Sequence, residues 1–238
     1  MASEPIGVVV GLRAEARIAR GLGWAIAVGG GSAEGAEAAA RSLAERGCRA
    51  LISFGLAGGL DPALHAGALL LPRAFLLGGV RVPADPDLTG RLGGATCELL
   101  LCGSAVVATA SDKARLFRET GAAGLDLESG AVVRVARERS LAVAALRAVC
   151  DPAGRSLPPA ALVALSGAGA IMAGHVLGSV LRRPSQIPSL LSLAREAAAA
   201  RRALMGRVSQ NNPPPTPSHK RRGLSSPSPL VGEGRGEG

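Results

Sequence analysis

The sequence has no tyrosine, one tryptophan and three phenylalanines. Binding of single-stranded nucleic acid by stacking bases on aromatic rings therefore has almost nothing to work with. Cysteine is scarce as well. The four thiols, at positions 48, 97, 102 and 150, fall into no paired metal spacing, and Cys97 and Cys102 are too far apart for a CxxC. The expectation is reduced, half-buried thiols in a cytoplasmic protein, with no metal. Acidic residues are outnumbered, giving a net charge of +9, yet five basic and two acidic residues fall from Arg207 onward. Arg heavily outnumbers Lys while Ala and Gly abound, which reads as coding bias as much as selection for an anionic partner. The first apolar run, Ile6–Val10, is too short for a secretory leader and follows Glu4.

What the chain does have is apolar material in repeating units. Hydrophobic residues make up 47% and glycines number 33 across 238 residues, enough for one packed domain. Buried strands are expected at Ile6–Val10, Trp24–Val28, Ala50–Phe54, Gly67–Leu71 and Ala142–Val149, with helices over Ala33–Arg46 and from Thr109 to Thr120. Strand alternating with helix predicts an α/β layer fold around a mainly parallel or mixed sheet. Pro72 stands at the end of the strand Gly67–Leu71, residues 78–96 read as a loop with weak strand character, and Glu98–Leu101 and Ser104–Ala108 are apolar and β-prone. Leu157–Leu181 contains no charged residue, but its prolines, four glycines and alanine bias favour a buried helix pair over a membrane span. A last helix is expected over Gln186–Arg207. The Pro/Gly/Ser-rich remainder cannot bury a core. The predicted organisation is one domain over residues 1–207 and a disordered tail over 208–238. The tail's run His219-Lys220-Arg221-Arg222 is weak support for nucleic-acid or membrane contact.

Carboxylates stand out against this background. Asp126-Leu127-Glu128-Ser129-Gly130 sets two of them just before an amphipathic run, and Leu146–Cys150 is an apolar strand, broken only by Arg147, that ends in Asp151. The carboxyl ends of strands are where an α/β sheet displays its chemistry. One carboxylate that grips hydroxyls and another that donates a proton suit a sugar and its leaving group. The bland alternative makes Glu128 a helix cap and Asp151 the start of an Asp-Pro turn. Arg13 and Glu15 fall at a strand-to-helix junction, where they either serve the site or form a solvated first turn. Gly29-Gly30-Gly31-Ser32 could hold an anion at a helix N-terminus, but lacks a full dinucleotide or Walker fingerprint. The strand Ala50–Phe54 runs into a glycine loop, Gly55–Pro62, where Gly55, Gly58 and Gly59 would let backbone come close to a ligand.

Together these landmarks resemble the nucleoside phosphorylase and nucleosidase superfamily, including methylthioadenosine/S-adenosylhomocysteine nucleosidases. Similar landmarks run from Ile6 to Asp151. Within that superfamily, Gly11–Glu15, the Gly55–Pro62 stretch and Asp126–Gly130 look most like the hopanoid-associated branch, thought to remove adenine from adenosylhopane. The resemblance implies a single α/β domain, three-layered, with a central mixed, partly barrel-like sheet. It also implies an enzyme that cleaves an N-glycosidic bond and releases adenine. Asp151 would be the general acid toward the purine and Glu15 would orient the water. Glu128 would hold the ribose hydroxyls, with Leu127, Asp126, Gly58, Gly59 and Phe54 also lining the substrate. Arg13 would hold phosphate if phosphate rather than water attacks. No cofactor is implied beyond phosphate as an optional co-substrate. Leu56 stands where many relatives place a hydroxyl that touches the nucleophile. The implied partners are a small adenosyl substrate, with a lipid-like 5′ group as an option, and further copies of the chain in a homo-oligomer, not nucleic acid. Location would be cytoplasmic, with peripheral membrane contact as an option. The competing readings are a plain methylthioadenosine/adenosylhomocysteine nucleosidase and a non-catalytic nucleoside-binding protein.

Overall fold

The computed structural model describes residues 5–159, 161 and 187–211. Among these residues nine strands form one mixed sheet. In chain order they are β1 (Ile6–Val10), β2 (Ala25–Val28), β3 (Ala50–Gly59), β4 (Leu69–Leu70), β5 (Pro72–Leu77), β6 (Val80–Pro83), β7 (Cys97–Cys102), β8 (Gly124–Asp126) and β9 (Ala142–Asp151). The described helices are α1 (Arg13–Ala19), α2 (Ala33–Glu45), α3 (Pro86–Arg91), α4 (Ala110–Thr120), α5 (Ser129–Glu138) and α6 (Ile187–Asn211).

β3 is the spine. It pairs in parallel with β1 along one edge and with β9 along the other. At its far end, Gly58 and Gly59 pair antiparallel with β8. From β8 the sheet continues through β7 to β5 and the edge strand β6. β9 also pairs with β4, which is one residue short of β5. The path β3, β9, β4, β5, β7, β8 and back to β3 therefore closes on itself, and this is the barrel-like part of the sheet. Strands buried on both sides read as unbroken apolar runs, as β1 and most of β9 do.

Helices cover both faces. Ala36, Ala39, Ala40 and Leu43 of α2 pack with Val132, Val133 and Val135 of α5 against one side. On the other, Ala16 and Ala19 of α1 pack with Ala200, Leu204 and Val208 of α6. Local signals set the helix starts. Ser32, Asp85 and Thr109 each accept a hydrogen bond from a backbone N–H three residues on. Ser32 thus occupies the helix start where the glycine turn had suggested an anion. Gly121, at φ 66°, ends α4 in the left-handed conformation.

Four expectations change. Gly55–Gly59, read as a loop, continues β3, because pairing with β9, joined by β8 at Gly58 and Gly59, outweighs the poor strand propensity of glycine. Pro72 opens β5 instead of closing the strand before it, a position where its missing N–H costs no ladder bond. Residues 78–96 contain β6 and α3, and Ser104–Ala108 forms no strand. α6 runs to Asn211 and buries Val208, four residues past the expected boundary. The apolar stretch Leu157–Leu181 lies mostly outside the described residues, as does the chain after Asn211. No helix among the described residues is long and apolar enough to cross a membrane.

Candidate active site

At the carboxyl end of β3 and β9, one cation gathers the carboxylates. Arg147 interrupts the apolar run of β9 and its side chain is 1% exposed. Such a charge needs partners, and three elements supply them. Its Nη2 lies 2.5 Å from Asp126 Oδ2, at the end of β8, and donates to Ser53 Oγ of β3 at 2.5 Å. Its Nη1 donates to Glu128 Oε2 at 2.9 Å and to the Leu56 carbonyl at 3.3 Å. Burial works against the guanidinium charge, but Asp126, Glu128 and Glu15 more than offset it, so its pKa stands above even the usual arginine value.

Glu15, on the first turn of α1, is 4% exposed. Its Oε2 accepts from the Leu12 N–H at 2.9 Å and its Oε1 from the Leu56 N–H at 3.2 Å. The residue thus caps its own helix while its carboxylate reaches β3, and the solvated-turn reading does not hold. Burial pushes its pKa up and the neighbouring Arg147 charge opposes this. Two glycines make room for the cluster. A Cβ on Gly55, where φ is 154°, would stand 2.7 Å from Glu15 Oε1 and 2.8 Å from Arg147 Nη1. A Cβ on Gly11 would overlap the Glu128 carboxylate.

Glu128 occupies the N-cap position of α5, yet its side chain makes no capping bond. Asp126 does that work: its Oδ2 accepts from the Ser129 N–H at 3.1 Å and from Ser129 Oγ at 2.7 Å. Of the two carboxylates in this motif, Asp126 is therefore bound up in structure. Glu128, with one oxygen on Arg147, remains partly accessible at 13% of its side chain.

Asp151 forms a second, separate pair. Its Oδ2 accepts from Lys113 Nζ at 2.6 Å, with the lysine side chain wholly buried on α4. Lys113 also donates to the carbonyls of Arg155 at 2.9 Å and Pro152 at 3.1 Å. Burial raises the Asp151 pKa and Lys113 counteracts that rise. The pairing of β9 with β3 slips here: Ala57 faces Val149 and Gly58 faces Asp151, so Cys150 is an extra residue. Such a bulge re-aims the side chain beside it.

The structure thus brings Glu15, Asp126, Glu128, Gly58 and Asp151 to one end of the sheet. Gly58 sits at the fork where β3 passes from β9 to β8, and a Cβ there would be 3.9 Å from Asp151 Oδ2. A Cβ on its neighbour Gly59 would meet Val149 and Pro152, not open space. Leu127 is half-buried against the cluster of Leu60, Leu99 and Leu125. Phe54 is wholly buried among core residues such as Ile52 and Leu146 and offers no free ring face. Arg13 is exposed and joins no ion pair among the described residues. Two residues join the site that the sequence reading did not select. Arg147 could have been found as a lone charge within an apolar strand. Lys113 could have been found from its spacing to Leu116 and Phe117, which puts it on their face of α4. No group of acidic, histidine and cysteine side chains suited to a metal ion occurs among the described residues.

Comparison with known proteins follows the same lines. The family model described as phosphorylase superfamily matches residues 14–169. No curated protein sequence matches the chain. Among solved structures, a 5′-methylthioadenosine/S-adenosylhomocysteine nucleosidase from Helicobacter pylori, bound to butyl-thio-DADMe-Immucillin-A, superposes with TM-score 0.61. The two share 15% identity over 88% of this chain and 100% of the other. The corresponding Neisseria meningitidis enzyme, with methylthio-immucillin-A, gives 0.61 at 16% identity over 87% of this chain and 99% of its own. A futalosine hydrolase mutant of Helicobacter pylori gives 0.60 at 13% over 87% and 99%. At such identities the likeness is one of fold.

Proposed function

The chain belongs to the phosphorylase superfamily, and from that premise we propose that it cleaves the N-glycosidic bond of an adenosyl compound, with water as the nucleophile. One observation carries this reading: the single buried guanidinium of Arg147 faces three carboxylates, Asp126, Glu128 and Glu15. The excess of negative charge suits a ribosyl group that becomes cationic as the bond breaks. The same excess repels phosphate, and Arg13, the cation expected to hold phosphate, is exposed and unpaired among the described residues.

Roles follow from chemistry. Glu128 accepts hydrogen bonds from the ribose hydroxyls through the oxygen that Arg147 does not engage. Glu15, its pKa raised by burial toward the working range, takes a proton from the attacking water. Asp151, also raised by burial, gives a proton to the departing purine. Arg147 fixes the orientation of the carboxylates around the sugar. The finer assignment, a lipid-like 5′ group such as that of adenosylhopane, rests on the resemblance of Gly11–Glu15, Gly55–Pro62 and Asp126–Gly130 to the hopanoid-associated branch.

The test is adenine release from adenosylhopane and from methylthioadenosine, each with and without phosphate. The expected products carry a free anomeric hydroxyl whether or not phosphate is present. A ribose 1-phosphate product formed only with phosphate would overturn the choice of water. No adenine from either substrate would overturn the activity itself.

A further inference from the structure

Lys113 is a charged side chain at this end of the sheet that these roles leave unused, and at 0% exposure it is the most deeply buried of the described charged residues. An ammonium in such a place is costly unless its donors are engaged. They are: Nζ reaches Asp151 Oδ2 at 2.6 Å and the Arg155 and Pro152 carbonyls at 2.9 and 3.1 Å, with the Asp151 carbonyl at 3.4 Å. Every acceptor belongs to Asp151 or to the turn that follows it. The other carboxylate oxygen, Asp151 Oδ1, is buried and has no partner among the described residues. A Cβ on Gly58 would stand 3.9 Å from Oδ2, the oxygen that Lys113 already holds, so the glycine leaves that side of the carboxylate uncrowded.

We propose that Lys113 is a positioning residue for departure of the base, holding Asp151 by Oδ2 so that Oδ1 alone meets the purine. This rests on the activity proposed above. As the bond from C1′ to the purine breaks, its electron pair stays with the purine. The Oδ1–H bond breaks, a purine N–H forms, and Asp151 becomes a carboxylate. Water supplies hydroxide to C1′, and its remaining proton goes to Glu15. The new carboxylate charge forms 2.6 Å from an ammonium already in place, so no side chain has to move to stabilise it. Without Lys113, Asp151 would still be acidic but would hold its proton more tightly and could turn away from the base.

Three other groups interact with Asp151: Glu196 on α6, Arg155 in the following turn and the preceding Cys150. None of them reaches Oδ2, so removal of the Lys113 charge has a distinct signature. Activity that depends on protonated Asp151 falls as pH rises through its pKa. An opposite charge this close lowers a carboxyl pKa by about one to three units, so losing it moves that alkaline limb to higher pH by at least about one unit.

The experiment compares Lys113→Gln, which keeps a donor for the turn carbonyls, with Lys113→Arg, which keeps the charge. Each is assayed on methylthioadenosine and on 4-nitrophenyl β-D-riboside, whose leaving group needs no proton. The expected result for Lys113→Gln is at least a tenfold loss of adenine release, less than a threefold change with the nitrophenyl riboside, and an alkaline limb shifted upward. Lys113→Arg keeps the limb near its original place. Equal losses on both substrates, or an unmoved limb with only a lower melting temperature, would show that Lys113 merely staples the turn. Failure of the activity proposal is distinguishable, because the unmodified protein would then release no adenine.

Discussion

Replacing Arg147 with methionine tests the charge cluster at its centre. The substitution keeps most of the apolar stem but deletes the guanidinium. Asp126 Oδ2 then loses a partner 2.5 Å away, Glu128 Oε2 loses one at 2.9 Å, and Ser53 Oγ loses one at 2.5 Å. Breaking one side of a buried ion pair costs about 3–5 kcal/mol, because the partner charge stays behind without compensation. Here several carboxylates stay behind together, which puts the estimate at the upper end. For a protein of this size, each kcal/mol is worth about 2–4 °C, so the melting temperature should drop by on the order of 10 °C. Urea unfolding followed by circular dichroism should show a lower midpoint with an unchanged slope. The deficit should shrink as pH falls from 7 to 5, since proton uptake by the stranded anions relieves their repulsion; groups raised in the folded state stabilise it below, not above, their pKa. A second arm combines Arg147→Met with Asp126→Asn. Partners in one network show coupling of about 0.5–3 kcal/mol, so the double variant should be less unstable than the sum of the singles. A loss below about 1 kcal/mol for Arg147→Met, or strict additivity of the pair, would refute the account of the cluster.

Two further substitutions probe its edges. Gly55→Ala puts a methyl 2.7 Å from Glu15 Oε1 and strains a backbone at φ 154°, so turnover should fall on the order of 10²-fold, beyond any loss of stability; a variant that turns over normally would remove Glu15 from the reacting centre. Ending the chain after Asn211 should leave the melting temperature unchanged, whereas ending it after Arg207 removes the buried Val208 from above Gly21 and should cost about 1–2 kcal/mol. Equal melting temperatures for the two truncations would show that the last turn of α6 contributes nothing.

Much of the architecture was legible because buried strands in this fold are nearly uniform in polarity. Ile6–Val10 and Ala142–Asp151 could be read from composition alone, since both of their faces are covered. β6 and α3 were not legible, being short, exposed on one side and set among glycines and prolines whose signals belong to turns. In the site, Asp126, Glu128 and Asp151 stood out as carboxylates beside strand ends. Their division of labour did not. Whether Asp126 or Glu128 caps α5 depends on which side chain turns back toward the Ser129 N–H, and that follows from three-dimensional packing around Arg147. Lys113 was hidden by its neighbours: Asp112, Arg115, Arg118 and Glu119 make α4 look like a solvated helix, and the face shared with Leu116 and Phe117 is the discriminating detail.

The double membership of β3 has a consequence for how this molecule can come apart. Local opening in proteins follows seams, contiguous units whose loss leaves the remainder folded. Here no seam runs between the two halves of the sheet, because β3 pairs with β1 along its first half, with β9 over most of its length and with β8 at its tip. Releasing β8, with Asp126, frees the end of the strand whose middle supplies Ser53 to Arg147. The amides of β3 and β9 should therefore exchange with solvent only when the whole domain unfolds. Chemistry held at such a strand cannot be gated by partial unfolding of the sheet, so substrate entry has to rely on segments that lie outside it.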